Sequence, residues 1–358
     1  MKNNYSLLEH NTFGIPAQAA YFTEYSTVEQ LREELVNYYH QESIEPLTGE
    51  RPHVLHIGGG SNLLFLKDYE GLVLHSAIMG IEVIEDAVDS VLIRVGAGMV
   101  WDDLVAETLR RGWYGLENLS IIPGEVGASA MQNIGAYGAE VKDYIDQVYL
   151  FDMYTLEPCT KSREEMQYAY RYSILKSDEW RGRYAVTHVQ FRLSKTFVPR
   201  LEYGGLRKAL AGCQGQGKGQ DEADLMAQLD AQQLRQVIID MRQGKLPDPK
   251  VLGNAGSFFM NPIVERPVFE ALLKEYPEMP HYEVDAEHVK IPAGWLIEKW
   301  GWKGRRLGKA GVYERQALVL VNLGGAMGAD IVDLCEAVRA DVRVKFGIDI
   351  HPEVNFIG

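Results

Sequence analysis

Apolar positions in the first part of the chain predict one amphipathic helix and two short strands. From Thr27 to Tyr38 the apolar side chains recur at the spacing of one helical face. Val54 to Ile57 is a short apolar run that leads into three consecutive glycines, and Val91 to Val95 is another that leads into Gly96. Both predicted strands therefore end in glycine turns.

The following residues mix the periods of helix and strand. Asp102 to Arg111 has a helical pattern, as does Leu206 to Ala211, whereas Thr187 to Leu193 alternates apolar and polar side chains as a half-buried strand does. These elements predict a mixed α+β first part. Residues 213 to 225 are polar and rich in glycine, which indicates a break between domains.

The C-terminal pattern predicts a helix followed by a strand. Ala329 to Phe346 has one apolar face, with Asp330 as its expected cap and Gly347 as its expected end. From Ile348 to Phe356 the even positions are apolar and the odd ones polar, which predicts a strand with one buried face. Glu353 lies on the polar face of that strand.

Length, charge and cysteine content limit the kinds of protein that this chain can be. The 358 residues exceed what one hydrophobic core usually serves, so we expect two or three domains. Lys and Arg number 36 against 50 Asp and Glu, and the net charge of -14 disfavours a nucleic-acid or anionic-membrane partner. The three cysteines form no C-x-x-C motif, and no signal peptide or membrane-length apolar run occurs. We therefore expect a cytoplasmic protein.

Two glycine-rich segments are candidate ligand sites. Gly58 to Gly60 follows a strand, as in a dinucleotide-binding fold. No glycine stands at the third position of the G-x-G-x-x-G spacing, however, and no helical pattern follows directly, which disfavours a Rossmann domain. Gly115 to Gly138 contains five glycines, and its other polar groups are mostly amides and hydroxyls. Backbone amides of such turns can hold a phosphate, so the pair suits a flat ligand with a pyrophosphate, such as a flavin dinucleotide. The alternative is a buried crossover without a ligand.

A single serine is presented between glycines and two phenylalanines in the segment Gly253 to Phe259. The glycine flanks of a hydrolase nucleophile elbow are missing, which excludes that interpretation. A neutral serine is useful as a proton donor only toward a strongly basic centre such as an enolate. Arg171 or Lys245 could supply the positive charge that such a centre needs, although each alone is more typical of a solvated surface cation.

Taken together, five ordered segments resemble the UDP-N-acetylenolpyruvoylglucosamine reductase (MurB) family. The segments are Asn11 to Gly14, Ile57 to Asn62, Ile122 to Gly138, Gly253 to Phe259 and His351 to Val354. The resemblance implies an α+β protein with a two-subdomain FAD-binding fold of the vanillyl-alcohol-oxidase (PCMH) type, residues 1 to 72 and 73 to 212. It also implies an α+β substrate-binding domain, residues 213 to 358, whose last strand returns to the active site.

The resemblance further implies a reaction. NADPH reduces non-covalent FAD, hydride then passes to C3 of an enolpyruvyl ether on a UDP-sugar, and a proton is added at C2 to give UDP-N-acetylmuramate for peptidoglycan synthesis. Ser257 matches the proton donor, and Arg171 and Glu353 match the pair that stabilises the enolate. A carboxylate in that role would have to be protonated or linked through water. The small-molecule partner is a nucleotide sugar, and a monomer is expected.

Other site residues are carried over by position, and no metal site is expected. Substrate-binding positions are Tyr137, Tyr203, Arg242, Lys245 and Asn261, with Tyr203 on a loop that closes over the nucleotide sugar. FAD-binding positions are Gly58, Gly59, Gly60, Ser61, Asn62, Ile122, Pro123, Gly124, Gly127, Ala128, Asn133, Ile134 and Gly135. Three residues depart from the family pattern without removing a proposed catalytic group: Tyr172, Met260 and Asn355.

Two alternative functions remain open on the sequence. One is an oxidase or dehydrogenase of the same flavin fold. Many such enzymes hold FAD covalently through His or Cys, and neither residue occurs in Gly115 to Gly138. The other is a nucleotide-sugar binding protein that has lost catalysis, which the three departures motivate.

Overall fold

The computed structural model describes residues 1–44, 53–203, 205–213 and 229–358, without the side chains of 211–213. Its strands are β1 (Lys2–Ser6), β2 (Gln18–Tyr25), β3 (Val54–Ile57), β4 (Leu63–Phe65), β5 (Tyr69–Ser76), β6 (Ile81–Asp86), β7 (Ser90–Gly96), β8 (Gly135–Ala136), β9 (Ala139–Glu140), β10 (Ile145–Asp152), β11 (Glu157–Ser162), β12 (Tyr184–Ser194), β13 (Ile263–Glu265), β14 (Tyr282–Glu283), β15 (His288–Lys290), β16 (Arg306–Leu307), β17 (Ala310–Val312), β18 (Leu320–Asn322) and β19 (Asn355–Ile357).

The helices confirm those predicted from the sequence and add others. They are α1 (Val28–Glu42), α2 (Trp101–Arg110), α3 (Val126–Gln132), α4 (Leu206–Cys213), α5 (Ala231–Gln243), α6 (Arg266–Glu275), α7 (Ala293–Trp300) and α8 (Gly328–Phe346). No helix in the described ranges is both long enough and apolar enough to cross a membrane.

The chain divides into two compact units, each assembled from separated stretches of sequence. The first unit comprises Met1–Tyr5, Ala19–Gly59 and Glu70–Gly244, and the second comprises Ser6–Gln18, Gly60–Tyr69 and Lys245–Gly358. The linker predicted at 213 to 225 lies, from residue 214 onward, outside the described residues. The predicted domain limits at residues 72 and 212 remain predictions.

The first unit contains a four-stranded sheet in the order β1-β2-β5-β3, in which β3 and β5 run parallel. Helix α1 packs on it because Leu31 and Leu35 on one helical face join Leu72 and Leu74 of β5 in a fully buried cluster. The hydroxyl of Thr27 caps α1 by accepting a hydrogen bond from Gln30 N–H at 3.1 Å.

The first unit also contains a five-stranded sheet in the order β11-β10-β12-β7-β6, whose neighbouring strands are antiparallel. The second hydrophobic core of the unit lies on this sheet. The alternation predicted for β12 is confirmed, since Val189, Phe191 and Leu193 are buried. Helices α2 and α3 contribute to this core, where Trp101 of α2 meets Phe191 edge-on at 6.1 Å between ring centroids.

Helices α4 and α5 form a smaller cluster in the same unit, through Leu206, Leu210, Leu234 and Ile238. Asp230 begins α5 with a reciprocal cap, because its carboxylate accepts from Gln233 N–H at 2.8 Å while the Gln233 side chain accepts from Asp230 N–H at 3.0 Å. Arg242 lies near the C-terminal end of α5, so this cap and cluster fix where that arginine stands.

The second unit contains two three-stranded sheets, β13-β15-β14 and β16-β17-β18, and the parallel pair β4-β19. Helix α8 is its longest element, and Gly347 ends the helix with φ of +66° as predicted. The predicted cap was wrong by three residues. Met327 occupies the cap position, while Asp330 lies inside the first turn and accepts a hydrogen bond from Met327 N–H at 2.8 Å.

The predicted strand from Ile348 to Phe356 was wrong for most of its length, since only β19 is a strand. Pro352 lies in its middle and makes a single isolated bridge with Phe259, because proline has no N–H to continue a ladder. The one-sided pattern itself is real: Ile348, Ile350 and Val354 are buried. Periodicity therefore identified the buried face but not the hydrogen bonding.

Two glycines of the second unit give a matched test of backbone packing. Gly60 and Gly14 have nearly the same φ, +65° and +64°, but a Cβ on Gly60 would lie 1.9 Å from His10 O, whereas one on Gly14 would meet nothing within 4 Å. We expect Gly14→Ala to cost about 1 kcal/mol of unfolding free energy and Gly60→Ala about 3 to 5 kcal/mol. Urea unfolding of both variants measures this, and equal losses would contradict the described contact.

Candidate active site

The two glycine segments meet in the first unit. A Cβ on Gly59 would lie 3.5 Å from Gly124 Cα, and a Cβ on Gly58 would lie 3.4 Å from Ala128 Cβ and 3.1 Å from a carboxylate oxygen of Glu125. The sequence predicted each turn separately, and the structure brings them together. Because glycine faces glycine here, no side chain covers the two backbones, and successive backbone N–H groups of such turns can hold an anion.

The start of α2 holds the second glycine turn in place. Trp101 N–H donates to Gly124 O at 3.0 Å, and Asp102 accepts from Ile121 N–H at 2.6 Å. Arg235 of α5 binds both oxygens of Asp102, at 2.7 and 2.9 Å. Burial alone would raise the pKa of Asp102, but Arg235 and the Ile121 N–H outweigh it and lower that pKa. Asp102 thus holds the loop before Gly124, and its ion pair with Arg235 connects that loop to α5.

Strained backbone concentrates along the second glycine segment, Gly115 to Gly138, here called the glycine strip, and at Arg171, which contacts it. Ile121, Asn133, Tyr137 and Arg171 all have φ between +47° and +54°, a region that residues with a Cβ rarely adopt and that a β-branched residue adopts least. Such conformations persist only where surrounding bonds fix them, and they cluster at functional sites. Half of the eight non-glycine residues with positive φ among the described residues lie here.

Arg171 is held against the glycine strip. Its guanidinium donates to Gly135 O at 2.5 Å and Asn133 O at 3.4 Å, and it lies 5.3 Å from the ring centroid of Tyr170. The segment that carries it is also tied down, because the Ser173 hydroxyl donates to Met131 O at 2.6 Å. The geometry therefore gives this arginine a fixed orientation, unlike a solvated surface cation.

A second arginine, Arg242, lies close to the same strip. Its Nε is buried and has no hydrogen-bond partner among the described residues. Burial and the charge of Arg171 lower the pKa of Arg242, while Tyr137 and Asp102 oppose the change. The Tyr137 ring in turn meets the ring of Tyr203 edge-on at 5.6 Å. Two predicted substrate tyrosines and two arginines are thus neighbours in one unit.

Some predicted FAD-binding residues serve the protein backbone. Gly127 N–H donates to Ala97 O at 2.9 Å, and a Cβ on Gly127 would lie 2.9 Å from Ala97 Cβ, so this glycine lets α3 pack on that loop. Asn133 is fully buried, and its side chain donates to Ala169 O at 2.8 Å and accepts from Lys142 N–H at 3.2 Å. Their contact with a cofactor remains a prediction.

Ser257 lies in the second unit, where packing presents it. Phe258 and Phe259 are buried at 0% and 1% exposure, whereas Ser257 itself is exposed. Gly256 precedes it with φ of +68°. The close approach inferred at Gly253 comes from protein, since a Cβ there would lie 2.2 Å from Phe13 O.

A backbone hydrogen bond of the second unit holds Glu353 next to the residue that follows Ser257. Glu353 N–H donates to Phe258 O at 2.7 Å, and the Asn62 side chain donates to Glu353 O at 3.2 Å. Asn355, one of the three departures from the family pattern, donates from its side chain to Asn62 O at 3.2 Å. The structure therefore brings together Ser257, Glu353 and Asn62, which are far apart in sequence.

The remaining predicted residues fall in different surroundings. Lys245 is exposed at the start of the second unit's C-terminal stretch. Asn261 accepts a hydrogen bond from Ala293 N–H at the start of α7, at 2.9 Å. Met260 N–H donates to His351 O at 2.9 Å. Arg171 belongs to the first unit, whereas Ser257 and Glu353 belong to the second.

Sequence reasoning missed the charged groups beside the glycine turns. Glu125 is buried and accepts from His75 at 2.9 Å. The available signals were a carboxylate in a strip otherwise rich in amides and hydroxyls, and a histidine in an apolar strand. No group of three or more His, Cys, Asp or Glu able to hold a metal ion occurs in the described part of the chain.

Comparison with known proteins identifies the family. Over 357 residues the chain is 55% identical to UDP-N-acetylenolpyruvoylglucosamine reductase of Bacteroides fragilis (strain YCH46), covering 100% of both chains. It is 44% identical to the enzyme of that name from Porphyromonas gingivalis (strain ATCC 33277), covering 100% of this chain and 99% of the other. The chain belongs to the UDP-N-acetylenolpyruvoylglucosamine reductase family.

Membership of that family confirms the predicted resemblance and the enzyme class, a flavin-dependent oxidoreductase. The family model of an FAD binding domain matches residues 40–154, and that of the UDP-N-acetylenolpyruvoylglucosamine reductase C-terminal domain matches residues 248–357. The crystal structure of UDP-N-acetylenolpyruvylglucosamine reductase (MurB) from Thermus caldophilus matches with a TM-score of 0.61 at 23% identity, covering 98% of this chain and 97% of that one. The predicted α+β FAD-binding fold is confirmed.

Asp102 gives a test of how the second glycine turn is held. Replacing it with Ala leaves Arg235 without its carboxylate and Ile121 N–H without its acceptor, so we expect a loss of about 2 to 4 kcal/mol of unfolding free energy. Asp103→Ala, an exposed neighbour on α2, should change it by less than about 0.5 kcal/mol.

Urea unfolding at several pH values measures both variants. Because the folded pKa of Asp102 is lowered, its stabilisation should be complete above about pH 4 and decline as the pH falls through the lowered value. An Asp102→Ala protein as stable as Asp103→Ala would refute this role.

Proposed function

We propose that this protein reduces the enolpyruvyl ether of UDP-N-acetylglucosamine enolpyruvate to UDP-N-acetylmuramate, using NADPH and FAD, in peptidoglycan precursor synthesis. The observation that carries the proposal is the presentation of Ser257 beside Glu353 by a buried phenylalanine backbone. Glu353 N–H is bonded to Phe258 O at 2.7 Å, and Ser257 immediately precedes that phenylalanine. Relatives that carry this enzyme name cover the chain from end to end.

Ser257 is the proposed proton donor to C2. A serine hydroxyl is a weak acid, so it transfers a proton only to a strongly basic carbon such as that of an enolate. The buried side chains of Phe258 and Phe259 fix the backbone on which the hydroxyl stands, which limits the motion that would misplace the proton. When bound, FAD supplies the hydride that is taken from NADPH and delivered to C3.

Arg171 and Glu353 are the proposed stabilisers of the enolate. A guanidinium matches a substrate carboxylate as a two-pronged donor and stabilises negative charge that develops on its oxygen. Hydrogen bonds to Gly135 O and Asn133 O already set the orientation of Arg171, so no reorganisation is needed when that charge forms. Glu353 supports the enolate as a hydrogen-bond donor, which requires its protonated form or a bridging water.

The turns at Gly58, Gly59 and Gly124 fit the pyrophosphate of FAD, since glycine faces glycine where backbone amides must approach an anion. Gly60, Ser61 and Asn62 of the second unit continue the first turn in sequence, and Ile122, Pro123, Ala128 and Ile134 complete the proposed FAD-binding set. We propose that FAD is held without a covalent bond. No histidine or cysteine occurs from Gly115 to Gly138 to attach it.

Arg242 is the proposed partner of the substrate's negative charge, with Tyr137 and Tyr203 beside it and with Lys245 and Asn261 as further contacts. A guanidinium with a buried, unpartnered Nε is unfavourable until an anion approaches. The diphosphate or carboxylate of a UDP-sugar supplies such an anion. We place the reaction in the cytoplasm, where UDP-sugars and NADPH occur, and a monomeric state remains a prediction.

The absorption spectrum tests the cofactor. Purified protein should show flavin bands, and heat denaturation followed by filtration should release all of the flavin as FAD, because nothing in the chain is proposed to bind it covalently. Flavin retained on the denatured chain, with reoxidation coupled to a sugar alcohol, would favour the oxidase alternative. Colourless protein that binds the UDP-sugar tightly and takes up no FAD would favour the binding protein.

Ser257→Ala tests the proton donor. Stopped-flow absorbance should show flavin reduction by NADPH unchanged, while reoxidation by the enolpyruvyl substrate slows by orders of magnitude, since only that half-reaction needs the proton. Ser177→Ala is the matched control, because the Ser177 hydroxyl has no hydrogen-bond partner among the described residues. Unchanged turnover in Ser257→Ala would overturn the assignment.

Arg242→Met tests the anion contact. Methionine keeps most of the apolar stem but not the charge, so we expect the KM for the UDP-sugar to rise about 10- to 100-fold. Flavin reduction by NADPH should stay unchanged. Steady-state kinetics at fixed NADPH measure the effect, with the exposed Arg181→Met as control. An equal rise of KM in both variants would argue against a specific contact.

A further inference from the structure

A histidine lies between two carboxylates beside the glycine turns. His75 of β5 has Nε2 2.9 Å from Glu125 Oε1 and Nδ1 2.9 Å from Glu24 Oε2. The side chains of His75 and Glu125 are 16% and 10% exposed, whereas that of Glu24 is 54% exposed. The second oxygen of Glu125 lies against the first turn, 3.1 Å from where a Cβ on Gly58 would stand.

The position of His75 between two carboxylates favours its protonated form, the imidazolium. A neutral imidazole has one donor and one acceptor nitrogen, so one of its nitrogens would face a carboxylate lone pair at 2.9 Å. An imidazolium donates from both nitrogens and satisfies both carboxylates. Burial opposes the charge, but Glu125 and Glu24 outweigh it and raise the pKa of His75 above its ordinary value.

Two titratable groups on the neighbouring strands, His56 and Tyr25, stay uncharged near neutral pH. His56 of β3 lies 2.6 Å from the Tyr25 hydroxyl of β2, and burial together with the charge of His75 lowers the pKa of His56 to about 3. Burial and the charge of Glu125 raise the pKa of Tyr25, although a hydrogen bond with Ser76 opposes this. His75, Glu125 and Glu24 therefore carry the charge that we follow beside the turns.

We propose that His75 is a positioning residue that neutralises Glu125 as an imidazolium, so that the turns at Gly58, Gly59 and Gly124 accept the pyrophosphate of FAD. This inference rests on the proposed function. Glu125 alone would repel an anion at these turns, and the imidazolium both cancels that charge and fixes the carboxylate by a hydrogen bond. Loss of the His75 proton weakens FAD binding.

The direction of the pH dependence follows from linkage. The raised pKa of His75 keeps the imidazolium complete below the ordinary histidine value of about 6.5, and the charge is lost as the pH rises through the folded value. The pyrophosphate favours the charged form, so FAD affinity should be highest at low pH. We expect the Kd for FAD to rise about tenfold between pH 6 and 9.

Fluorescence titration of the full-length apoprotein with FAD at pH 6 to 9 tests the proposal. His75→Asn should bind FAD about tenfold more weakly than wild type at pH 6, with a flat pH profile. Glu125→Gln should bind at least as tightly as wild type at pH 6, with a weaker pH dependence whose midpoint lies at lower pH. Glu24→Gln should keep the affinity at pH 6 but move the transition to lower pH. His40→Asn, an exposed residue of α1, is the matched control.

Direct titration of the His75 ring by NMR gives a readout independent of the flavin. Its pKa should exceed about 6.5 in wild-type apoprotein and fall in Glu125→Gln. Wild-type protein that binds FAD with the same affinity from pH 6 to 9 would overturn this inference alone, as would a Glu125→Gln variant as weak as His75→Asn. Wild-type protein that binds no FAD at any pH would overturn the proposed function as well.

Discussion

The contact between two glycine turns is the constraint on which the proposed FAD site of the first unit depends. Gly59 faces Gly124 so closely that a Cβ on Gly59 would already be in van der Waals contact with Gly124 Cα, at 3.5 Å. Trp101 and Asp102 hold the second turn, so its position follows from how α2 packs on the sheet. The packing of the core therefore determines how closely the two turns approach each other.

Charge in this unit is arranged in pairs because isolated charge would be costly. Asp102 and Arg235 form a two-bond pair with 28% and 12% side-chain exposure, and His75 satisfies Glu125. Arg242 differs, because its Nε remains without a partner among the described residues. In the proposed site, this open donor of Arg242 is available to an anionic substrate, and His75 neutralises the carboxylate that would repel the cofactor.

In the second unit, the backbone holds the hydroxyl of Ser257, the proposed proton donor, in place. Asn254 accepts from Gly256 N–H at 2.9 Å, and Phe258 N–H donates to Leu318 O at 2.8 Å. The loop that carries Ser257 is therefore tied on both sides while its side chain stays exposed. In the proposed reaction such placement is what makes the serine useful, since proximity and orientation lower a barrier.

Much of the fold could be predicted from the sequence, because hydrophobic period and caps are local properties. The pattern from Thr27 to Tyr38 predicted α1, alternation predicted β12, and Gly347 ended α8 as expected. The order of five motifs predicted the family, and Phe258 and Phe259 predicted the core beneath Ser257. The strand predicted around Pro352 failed because strand pairing depends on a partner's N–H and C=O groups, which periodicity does not report.

Only the tertiary structure decided which distant residues meet. Gly59 and Gly124, His75 and Glu125, and Asp102 and Arg235 lie on separate elements, so no local pattern could pair them. The same limit applies to charge state, because the pKa of His75 depends on two carboxylates brought to its ring by β2 and the second glycine turn. Sequence determined the elements and the chemistry available to them. Folding determined which groups face each other, because contact and burial depend on the whole chain.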